Sequence, residues 1–401
     1  MITISSKEQC CACTACQNIC PQHCISMQTD SEGFKYPKVE ITNCIGCNLC
    51  EKVCPIKNNK INESFERYGI IARNVNLDVC EDSTSGGVAS AIIHILMEQG
   101  YEVCGAAFDD DFAVHHQIIK DEKDTKRFRG SKFVQSDLRN VLGLILKKLK
   151  MGEKIVFIGT PCQVAGAKNY FQKEYDNLFC IDFVCRGVPS PKIWSMYIDE
   201  MQKKYNSKFR SVKFRSKTYG YHSSAMRIEF VNGKKYIASG RIDPMMKAFV
   251  NELVSRPSCH SCNFKSTMHR SDLTLFDCKN YSKITGLNDD DKGYTSVIVQ
   301  SQKGNKYMEL ASKFLINQKA DLGKMIQYDG IMVEHSAKEN KSRKKLFELI
   351  QKDTFIAALN KVDKIKWSDY CIERSKSFLY KTGLIRIAQK VKKDSLFKRI
   401  K

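Results

Sequence analysis

The sequence has no apolar run of the roughly 18 to 20 residues that a membrane-spanning helix needs. Its first ten residues, MITISSKEQC, lack the basic stretch followed by an apolar stretch that marks a secretory signal. Proline is scarce, at 8 of 401 residues, and hydrophobic residues make up 42%, so extended disorder is disfavoured. At roughly 100 to 200 residues per domain, the length allows two or three domains. These features predict a folded, cytoplasmic protein.

Cysteine, in contrast, is abundant and unevenly distributed. The chain has 19 cysteines, and ten of them lie within the first 54 residues. A cytoplasmic compartment keeps thiols reduced, so disulfides do not explain this number, and metal or cluster ligation does. The beginning of the chain is therefore a cysteine module.

Eight of these ten cysteines form two copies of the motif C-x2-C-x2-C-x3-C-P. The copies consist of Cys10, Cys13, Cys16 and Cys20 before Pro21, and of Cys44, Cys47, Cys50 and Cys54 before Pro55. In this motif the first three cysteines bind one 4Fe-4S cluster and the fourth binds the other cluster. We therefore predict that Cys54 completes the first site and Cys20 the second. The module resembles a bacterial two-cluster ferredoxin.

Structural zinc is the alternative, but three cysteines within one seven-residue turn fit a tetrahedral zinc site poorly. Cys11 and Cys24 lie outside the repeat, and we interpret them as packing thiols. Residues 25–40, between the two copies, show the short apolar alternation of a hairpin with a turn at residues 31–33. We expect the ferredoxin domain to span residues 1–57 and a polar linker to span residues 58–66.

The sequence after the linker predicts a strand, a Gly-rich turn and a helix. Residues 68–72 are apolar, residues 83–87 have the sequence STSGG, and residues 88–97 have helical periodicity. Backbone N–H groups at such a helix start suit a phosphate or pyrophosphate. Ser, Thr and Gly also cap ordinary helices, so both interpretations stay open. Neither standard nucleotide-binding loop occurs in the sequence.

Four further cysteines come from three predicted loops. Cys162 follows a predicted strand over residues 154–159, Cys185 follows one over residues 178–184, and Cys259 and Cys262 form a C-x-x-C. Open α/β sheets place their chemistry just past the carboxyl ends of strands. Four thiols satisfy one cluster or one zinc, although single buried cysteines are commonly inert.

Several motifs together carry a more specific resemblance. They are STSGGVASAI, FRGSKFVQS, FIGTPCQVAG, DFVCRGVPSP, SRPSCHSCNFK, SDLTLFD and KGYTSVIVQSQKG, in this order. With them the chain resembles the beta-subunit family of coenzyme F420-reducing hydrogenases and dehydrogenases over roughly residues 5 to 305. This family binds FAD in an α/β core beside a 4Fe-4S cluster and exchanges electrons with a deazaflavin or another acceptor.

The resemblance implies two sites in this chain. A third 4Fe-4S cluster would be held by Cys162, Cys185, Cys259 and Cys262. FAD would contact Ser85, Gly86, Gly87, Gly130, Ser131 and Lys132, together with Gly293, Thr295 and Ser296 of a turn. Many relatives have a Gly-Asp-aromatic-Trp-Gly run after the C-x-x-C, whereas this chain has FDCKN at residues 276–280. Larger residues in place of both glycines would narrow a flavin or substrate pocket, and Cys278 is a packing thiol or an alternative ligand.

Positive charge is concentrated at the end of the chain. The formal net charge is +21, and residues 338–401 hold 19 Lys and Arg against 7 Asp and Glu, which is +12. Phe378, Leu379, Leu384, Ile387, Ala388, Val391 and Ile400 fall near helical spacing. This pattern fits an anionic membrane surface, a partner protein, or a solvated helix packed on its own domain. No nucleic-acid-binding module is present, and we expect no nucleic-acid partner.

We therefore expect an α+β ferredoxin-like N-terminal module, an α/β flavin-binding core over residues 67–330, and a helical basic tail over residues 331–401. The core would have an N-terminal part, about residues 67–150, and a C-terminal part, about residues 151–330. The expected function is an iron-sulfur flavoprotein oxidoreductase that exchanges electrons with a deazaflavin-type or other two-electron acceptor. The alternatives are a non-catalytic electron-transfer subunit that feeds a partner enzyme, and a remnant with purely structural clusters. His222 is a possible proton donor, but a lone histidine is more often structural.

Overall fold

The computed structural model describes residues 1–59, 65–384 and 387. The strands are β1 (Ile25–Thr29), β2 (Lys35–Val39), β3 (Tyr68–Asn74), β4 (Tyr101–Phe108), β5 (Val114–Ile119), β6 (Lys154–Gly159), β7 (Leu178–Phe183), β8 (Phe209–Ser216), β9 (Ala225–Phe230), β10 (Lys235–Ser239), β11 (Leu273–Cys278), β12 (Tyr294–Val299) and β13 (Leu315–Ala320). Residues 60–64 of the predicted linker lie outside the described residues.

The α-helices vary from a single turn to 15 residues. They are α1 (Ala15–Ile19), α2 (Leu49–Lys52), α3 (Leu77–Asp82), α4 (Val88–Glu98), α5 (Val141–Lys150), α6 (Pro161–Phe171), α7 (Pro191–Tyr205), α8 (Pro244–Val250), α9 (Tyr281–Thr285), α10 (Gln302–Leu310), α11 (Leu322–Asp329), α12 (Ile331–Glu334), α13 (Arg343–Leu349), α14 (Phe355–Val362) and α15 (Trp367–Lys381).

The N-terminal module contains a two-stranded hairpin and two short helices. β1 and β2 pair antiparallel from Ile25 with Val39 to Thr29 with Lys35, as the alternation in residues 25–40 predicts. The turn is closed by Asp30, whose carboxylate accepts hydrogen bonds from the backbone N–H groups of Glu32, at 3.0 Å, and Phe34, at 2.9 Å. An Asx-type turn of this kind closes the hairpin with local hydrogen bonds.

The core is built on a mixed eight-stranded sheet with the strand order β13-β3-β12-β11-β7-β6-β4-β5. β4, β6, β7 and β11 are parallel neighbours in the middle of the sheet. β5, β12, β3 and β13 add antiparallel pairs on either side. The chain is therefore a mixed α/β protein, and residues from both expected parts of the core share one sheet.

One edge of this sheet collects the predicted functional residues. The carboxyl ends of β3, β4, β6, β7 and β11 all lie there, because β3 is antiparallel to β12, which is antiparallel to β11. We call it the carboxyl edge. Cys162, Cys185 and the STSGG loop follow strands that end there, and β12 begins there at Tyr294. Open sheets bind ligands at this edge.

Helices cover both faces of the sheet. On one face α4 and α10 pack against apolar side chains of β3, β4, β6, β7, β11 and β12. On the other face α5 and α6 pack against the sheet and also against Ala15 and Val53 of the N-terminal module. The N-terminal module therefore packs on the helices that cover this second face.

A third layer surrounds the antiparallel sheet β10-β9-β8. Its core contains Trp194 of α7, Met245 of α8, and Phe347 and Phe355 of α13 and α14. Phe34, at the tip of the N-terminal hairpin, is fully buried among these side chains. Helices α13 and α14, within the expected basic tail, thus belong to a packed core.

The hairpin tip is also held by polar contacts to the core. Arg343 forms a double contact with the Glu32 carboxylate at 3.2 and 2.6 Å, and the hydroxyl of Ser190 donates to the Glu32 carbonyl at 2.5 Å. Lys192 donates to the carbonyl of Ser31 at 3.0 Å. An aromatic anchor and a bidentate ion pair therefore fix the module on the core.

The last described helix, α15, is attached through one buried carboxylate. Glu373 accepts hydrogen bonds from the backbone N–H and the hydroxyl of Ser239, at 2.9 and 2.6 Å. Of the predicted apolar positions, Phe378, Leu384 and Ile387 are exposed. Ala388, Val391 and Ile400 lie outside the described residues. In the part of the chain that the structure describes, no helix has the length and apolar character for crossing a membrane.

Gly33 provides a test of the docked hairpin. Its φ is +89°, and a Cβ at this position would overlap the Cβ of Lys192 and the hydroxyl of Ser190. We expect Gly33→Ala to lower the free energy of unfolding by about 3 kcal/mol, because a left-handed conformation and overpacking both oppose the methyl group. Chemical unfolding under anaerobic conditions measures this loss.

Gly233→Ala is the matched control. Gly233 also has a left-handed φ, +82°, but open space surrounds its Cβ position. We expect this variant to lose about 1 kcal/mol, from the backbone conformation alone. Equal losses in the two variants would show that the hairpin does not need the close approach to α7.

Candidate functional site

The two cysteine loops of the N-terminal module have the same backbone conformation. In the first loop Ala12 and Thr14 have φ of 56° and 60°, and in the second loop the equivalent Gly46 and Asn48 have φ of 68° and 57°. Left-handed residues at these positions turn the chain tightly, which brings the three cysteines of each loop close together. Alanine and threonine adopt this conformation only at a cost of about 1 to 2 kcal/mol each, and such strain is typical of functional sites.

The structure brings Cys54 to the first loop. We call Cys10, Cys13, Cys16 and Cys54 the first set. Burial, followed by the neighbouring thiols of Cys10 and Cys54, raises the pKa of Cys16 to about 12. Burial also raises the pKa of Cys10, and Cys54 adds to that rise. Cys13 in turn neighbours Cys10 and Cys16, so the four thiols form one group.

Cys20 lies instead with the second loop. It lines one cavity together with Cys44, Cys47 and Cys50, and we call these four the second set. Cys24 lines the same cavity, with its Sγ 3.4 Å from that of Cys20. Within the second set Cys20 and Cys50 are buried, Cys44 is half-buried and Cys47 is exposed. Each loop is thus placed beside the fourth cysteine of the other repeat.

The four core cysteines also converge. Cys162, Cys185, Cys259 and Cys262 line one cavity at the carboxyl edge, and we call them the third set. Burial, followed by the thiols of Cys185 and Cys162, raises the pKa of Cys259 well above its usual value. Three loops that are far apart in the sequence therefore supply one group of thiols.

Local structure explains why these thiols point inward. Thr160 and Gln163 form a reciprocal capping box at the start of α6, which places Cys162 in the first helical turn. Its Sγ lies 3.1 Å from the Thr160 hydroxyl. The C-x-x-C loop is fixed by the hydroxyl of Ser336, which accepts from the Cys262 N–H at 3.0 Å.

Among the described residues, no three His, Cys, Asp or Glu side chains are spaced to hold a single metal ion. A cubane distributes its four thiolates over four iron corners, so its ligands are spaced more widely than the ligands of one zinc. Each of the three sets supplies four thiols, which is the number of ligands that one 4Fe-4S cluster requires.

A buried histidine in the wall of the cavity of the third set, and the carboxylate behind it, were not predicted from the sequence. The Nδ1 of His269 lies 3.0 Å from the carboxylate of Asp182, and both side chains are buried. The Nε2 of His269 is buried without a hydrogen-bond partner, and His269 lines the cavity. A carboxylate behind a histidine with a free second nitrogen is the usual support of a metal centre. Asp182 lies three residues before Cys185, but nothing in the sequence pairs it with His269.

Cys11 lies between the first and third sets. Its thiol neighbours those of Cys13 and Cys162, and it lines the cavity of the third set. Its predicted role is that of a packing thiol, and the structure adds its position: it connects the two sets. Cys278, in contrast, packs with the side chains of Phe276 and Tyr281, away from the third set.

The predicted flavin contacts form one group at the carboxyl edge. The Thr84 hydroxyl lies 3.0 Å from that of Ser131, and the Ser85 hydroxyl lies 2.8 Å from that of Thr295. Thr295 also accepts from the N–H of Gly86 at 2.9 Å. The structure therefore unites three of the quoted motifs. The hydroxyls of Thr84, Ser85, Ser131 and Thr295 therefore bond to one another in two pairs.

Two of the glycines have a packing role. A Cβ on Gly86 would meet the Ala72 carbonyl and the Thr295 backbone, and a Cβ on Gly293, whose φ is +94°, would meet the Tyr221 ring. Gly130, with φ of +79°, has open space around it instead. Close backbone packing thus accounts for Gly86 and Gly293 without a ligand.

Buried cations lie beside this group. The ammonium of Lys217 donates to the carbonyls of Cys80, Ser85 and Lys292 at 2.6 to 2.8 Å. Burial lowers the pKa of Lys217, and it lowers the pKa of Lys132 to about 8. Buried lysines favour an anionic ligand, because a nearby negative charge would stabilise their protonated forms.

The FDCKN segment has an internal role. Asp277 forms an ion pair with the guanidinium of Arg215, and Asn280 is hydrogen-bonded to Asp329 at 2.9 and 2.7 Å. Ser296, on the adjacent strand, is fully buried.

His222 lies 2.7 Å from Asp289, and this contact raises the pKa of the histidine. Ion pairing thus accounts for His222.

Comparison with known proteins supports the resemblance seen in the motifs. Residues 152–321 match the family model for the C terminus of the beta subunit of coenzyme F420 hydrogenase/dehydrogenase. Residues 9–58 match the model of the 4Fe-4S dicluster domain. The resemblance to this beta-subunit family and to a two-cluster ferredoxin is therefore confirmed, and the chain is similar to iron-sulfur oxidoreductase subunits.

One solved structure that is similar to this chain belongs to the F420-reducing [NiFe] hydrogenase complex from Methanosarcina barkeri. It aligns with 72% of this chain and 94% of its own length, at 15% sequence identity and a TM-score of 0.45. No curated protein matches the sequence.

Lys132 predicts a pH dependence of stability. The folded chain lowers its pKa from 10.5 to about 8, so the unfolded chain binds more protons between these pH values. The free energy of unfolding therefore rises with pH between about 8 and 10.5, as Lys132 loses its proton in the folded chain. This gain in stability is lost when the pH falls back through the window to about 8. We expect the stability difference between the parent and Lys132→Met to change by on the order of 2 kcal/mol from about pH 8 to about pH 10.

Denaturant unfolding of both proteins at several pH values measures the effect. Lys213→Met is the control, because Lys213 is exposed and paired with Asp82 at the surface. A Lys132→Met difference that stays constant over the same pH range would show that the Lys132 ammonium is fully solvated in the folded protein.

Proposed function

We propose that this chain is an iron-sulfur flavoprotein that passes electrons between three 4Fe-4S clusters and one FAD, to or from a two-electron acceptor of the deazaflavin type. The observation that carries the proposal is the arrangement of the twelve cysteines in three sets, with Cys11 in contact with both the first and the third. The confirmed resemblance to the beta-subunit family and the dicluster match support it.

In this proposal each set holds one cluster. When bound, the clusters carry single electrons, and FAD converts between one-electron and two-electron chemistry. The chain's own residues orient these groups. The capping box of α6 and the contact from Ser336 fix the third set, and His269, supported by Asp182, faces its cavity. A buried donor toward a cluster tunes its potential.

The FAD part of the proposal rests on the group of loops at the carboxyl edge. Ser85, Gly86, Gly87, Gly130, Ser131, Lys132, Gly293, Thr295 and Ser296 are its proposed contacts. The helix α4 begins at this group without a side-chain cap, so its first N–H groups can bind an anion. Lys132 and Lys217 supply positive charge beside it. A pyrophosphate suits these donors.

A non-catalytic electron-transfer subunit is the second candidate, and one observation favours it. The hydroxyls of Thr84, Ser85, Ser131 and Thr295 satisfy one another, and the Tyr221 ring packs against Gly293. A flavin would have to displace these contacts. In this second case the chain would deliver electrons from its clusters to a partner protein, as part of a larger assembly.

Iron and flavin content separates the candidates. We expect anaerobically purified protein to contain about twelve irons per chain, as three four-iron clusters require, together with one FAD. Cys185→Ala should reduce the iron to about eight per chain, because one ligand of the third set is missing. Cys104→Ala, a buried thiol in β4 outside all three sets, is the control and should retain about twelve. Eight irons in the parent would rule out the third cluster.

The flavin site is tested with two lysines. We expect Lys132→Met to weaken FAD binding at least tenfold, about 1.4 kcal/mol, with unchanged iron, because it removes the buried ammonium. Lys213→Met, which removes an exposed ammonium near the same loops, should bind FAD as the parent does. Fluorescence titration of the flavin-free proteins with FAD measures the affinity. A parent that binds no FAD but retains reducible clusters would establish the electron-transfer subunit.

A further inference from the structure

Arg256 is a buried cation without a buried counter-charge. Its side chain is fully buried, three residues before Cys259 of the third set. The guanidinium donates to the carbonyl of Cys10 at 2.7 Å, to that of Lys35 at 2.9 Å, and to the amide oxygen of Gln135 at 3.1 Å. These three partners are neutral, and in the described part of the chain no carboxylate lies within ion-pair distance of it.

Arg343 shows what the ordinary arrangement looks like. It too is buried and joins the core to the N-terminal module, but it forms a bidentate ion pair with Glu32. An isolated buried charge costs several kcal/mol unless a group of opposite charge compensates it. The compensating group for Arg256 must therefore be something other than a carboxylate of the described chain.

The positions of the cysteine sets identify that group. Arg256 is hydrogen-bonded to the backbone of Cys10, in the first set, and it lines the cavity of the third set. The Gln135 amide that it contacts donates in turn to the carbonyl of Cys11, which connects the two sets. Tyr36 covers the guanidinium on one face, with its ring 4.2 Å away, and keeps water out. A 4Fe-4S cluster with four thiolates carries net negative charge, and reduction adds one more electron.

We propose that Arg256 is a potential-setting residue that serves two clusters at once. Its positive charge stabilises the reduced forms of the clusters held by the first and third sets, and it leaves the cluster of the second set largely unaffected. Net charge near a cluster is one of the main determinants of its potential, and low-dielectric surroundings strengthen the effect. The inference rests on the proposed function, because it needs both clusters to be present.

The test compares charge removal with charge retention. Arg256→Gln removes the charge, Arg256→Lys keeps it, and Arg343→Gln is the control for a lost buried arginine at the same interface. Each protein is reconstituted anaerobically, its iron is counted, and its clusters are titrated with dithionite while the reduced forms are followed by electron paramagnetic resonance. In Arg256→Gln we expect two of the three reduction steps to become at least tenfold less favourable, about 59 mV for one electron. The equilibrium constant for reducing the cluster of the second set should stay within about threefold of the parent value. The same holds for all three reduction steps in Arg256→Lys and in Arg343→Gln.

Every outcome is decisive. Unchanged potentials in iron-loaded Arg256→Gln would overturn the inference. If Arg256→Gln fails to load iron and Arg256→Lys loads it, the charge itself is needed to hold the anionic clusters, and the inference stands. If neither variant loads iron, the role lies in the three hydrogen bonds and not in the charge, and the inference is wrong. A parent without reducible clusters would reject the proposed function instead, before any Arg256 variant is compared.

Discussion

The positions of the first and third sets depend on the contact between the N-terminal module and the core. Arg256, a buried residue of the core, forms part of that contact. Its guanidinium reaches the backbone of both the first cysteine loop and the second hairpin strand. Phe34 and the ion pair of Arg343 with Glu32 fix the hairpin tip from the other side. Without this docking the first set would lie apart from the third, and Cys11 would contact nothing on α6.

Docking places the first set beside the third set, because Cys11 of the module neighbours both Cys13 and Cys162. The third set lies in the core at the carboxyl edge, and the second set lines a separate cavity in the module. The loops with the predicted flavin contacts occupy the same edge of the same sheet. The core therefore brings the third set and these loops to one side of a single sheet.

The sequence is a good guide wherever a feature depends on neighbouring residues. The hairpin over residues 25–40, the strand over residues 154–159 and the helix after the STSGG loop all depend on local periodicity, and the structure has them at nearly the predicted bounds. Motif spacing and the family resemblance predicted three sets of cysteines, and the structure brings the members of each set together. The sequence could not reveal the pairs Arg256 with Cys10, 246 residues apart, or Asp182 with His269, 87 residues apart, because only the folded chain brings them together. Nor does a glycine motif tell ligand approach from packing, as Gly86 shows.

Cys47 is the most exposed of the twelve cysteines in the three sets, whereas the four cysteines of the third set are half-buried. Its side chain is open to solvent, and Ile41 and Ile45 beside it are also exposed, at 69% and 64%. Cluster sulfurs that meet water also meet dissolved oxygen. A protein loaded with three clusters would therefore decay in air from the second set inward, so that partly damaged molecules keep their inner cofactors but lose the terminal through which electrons enter or leave.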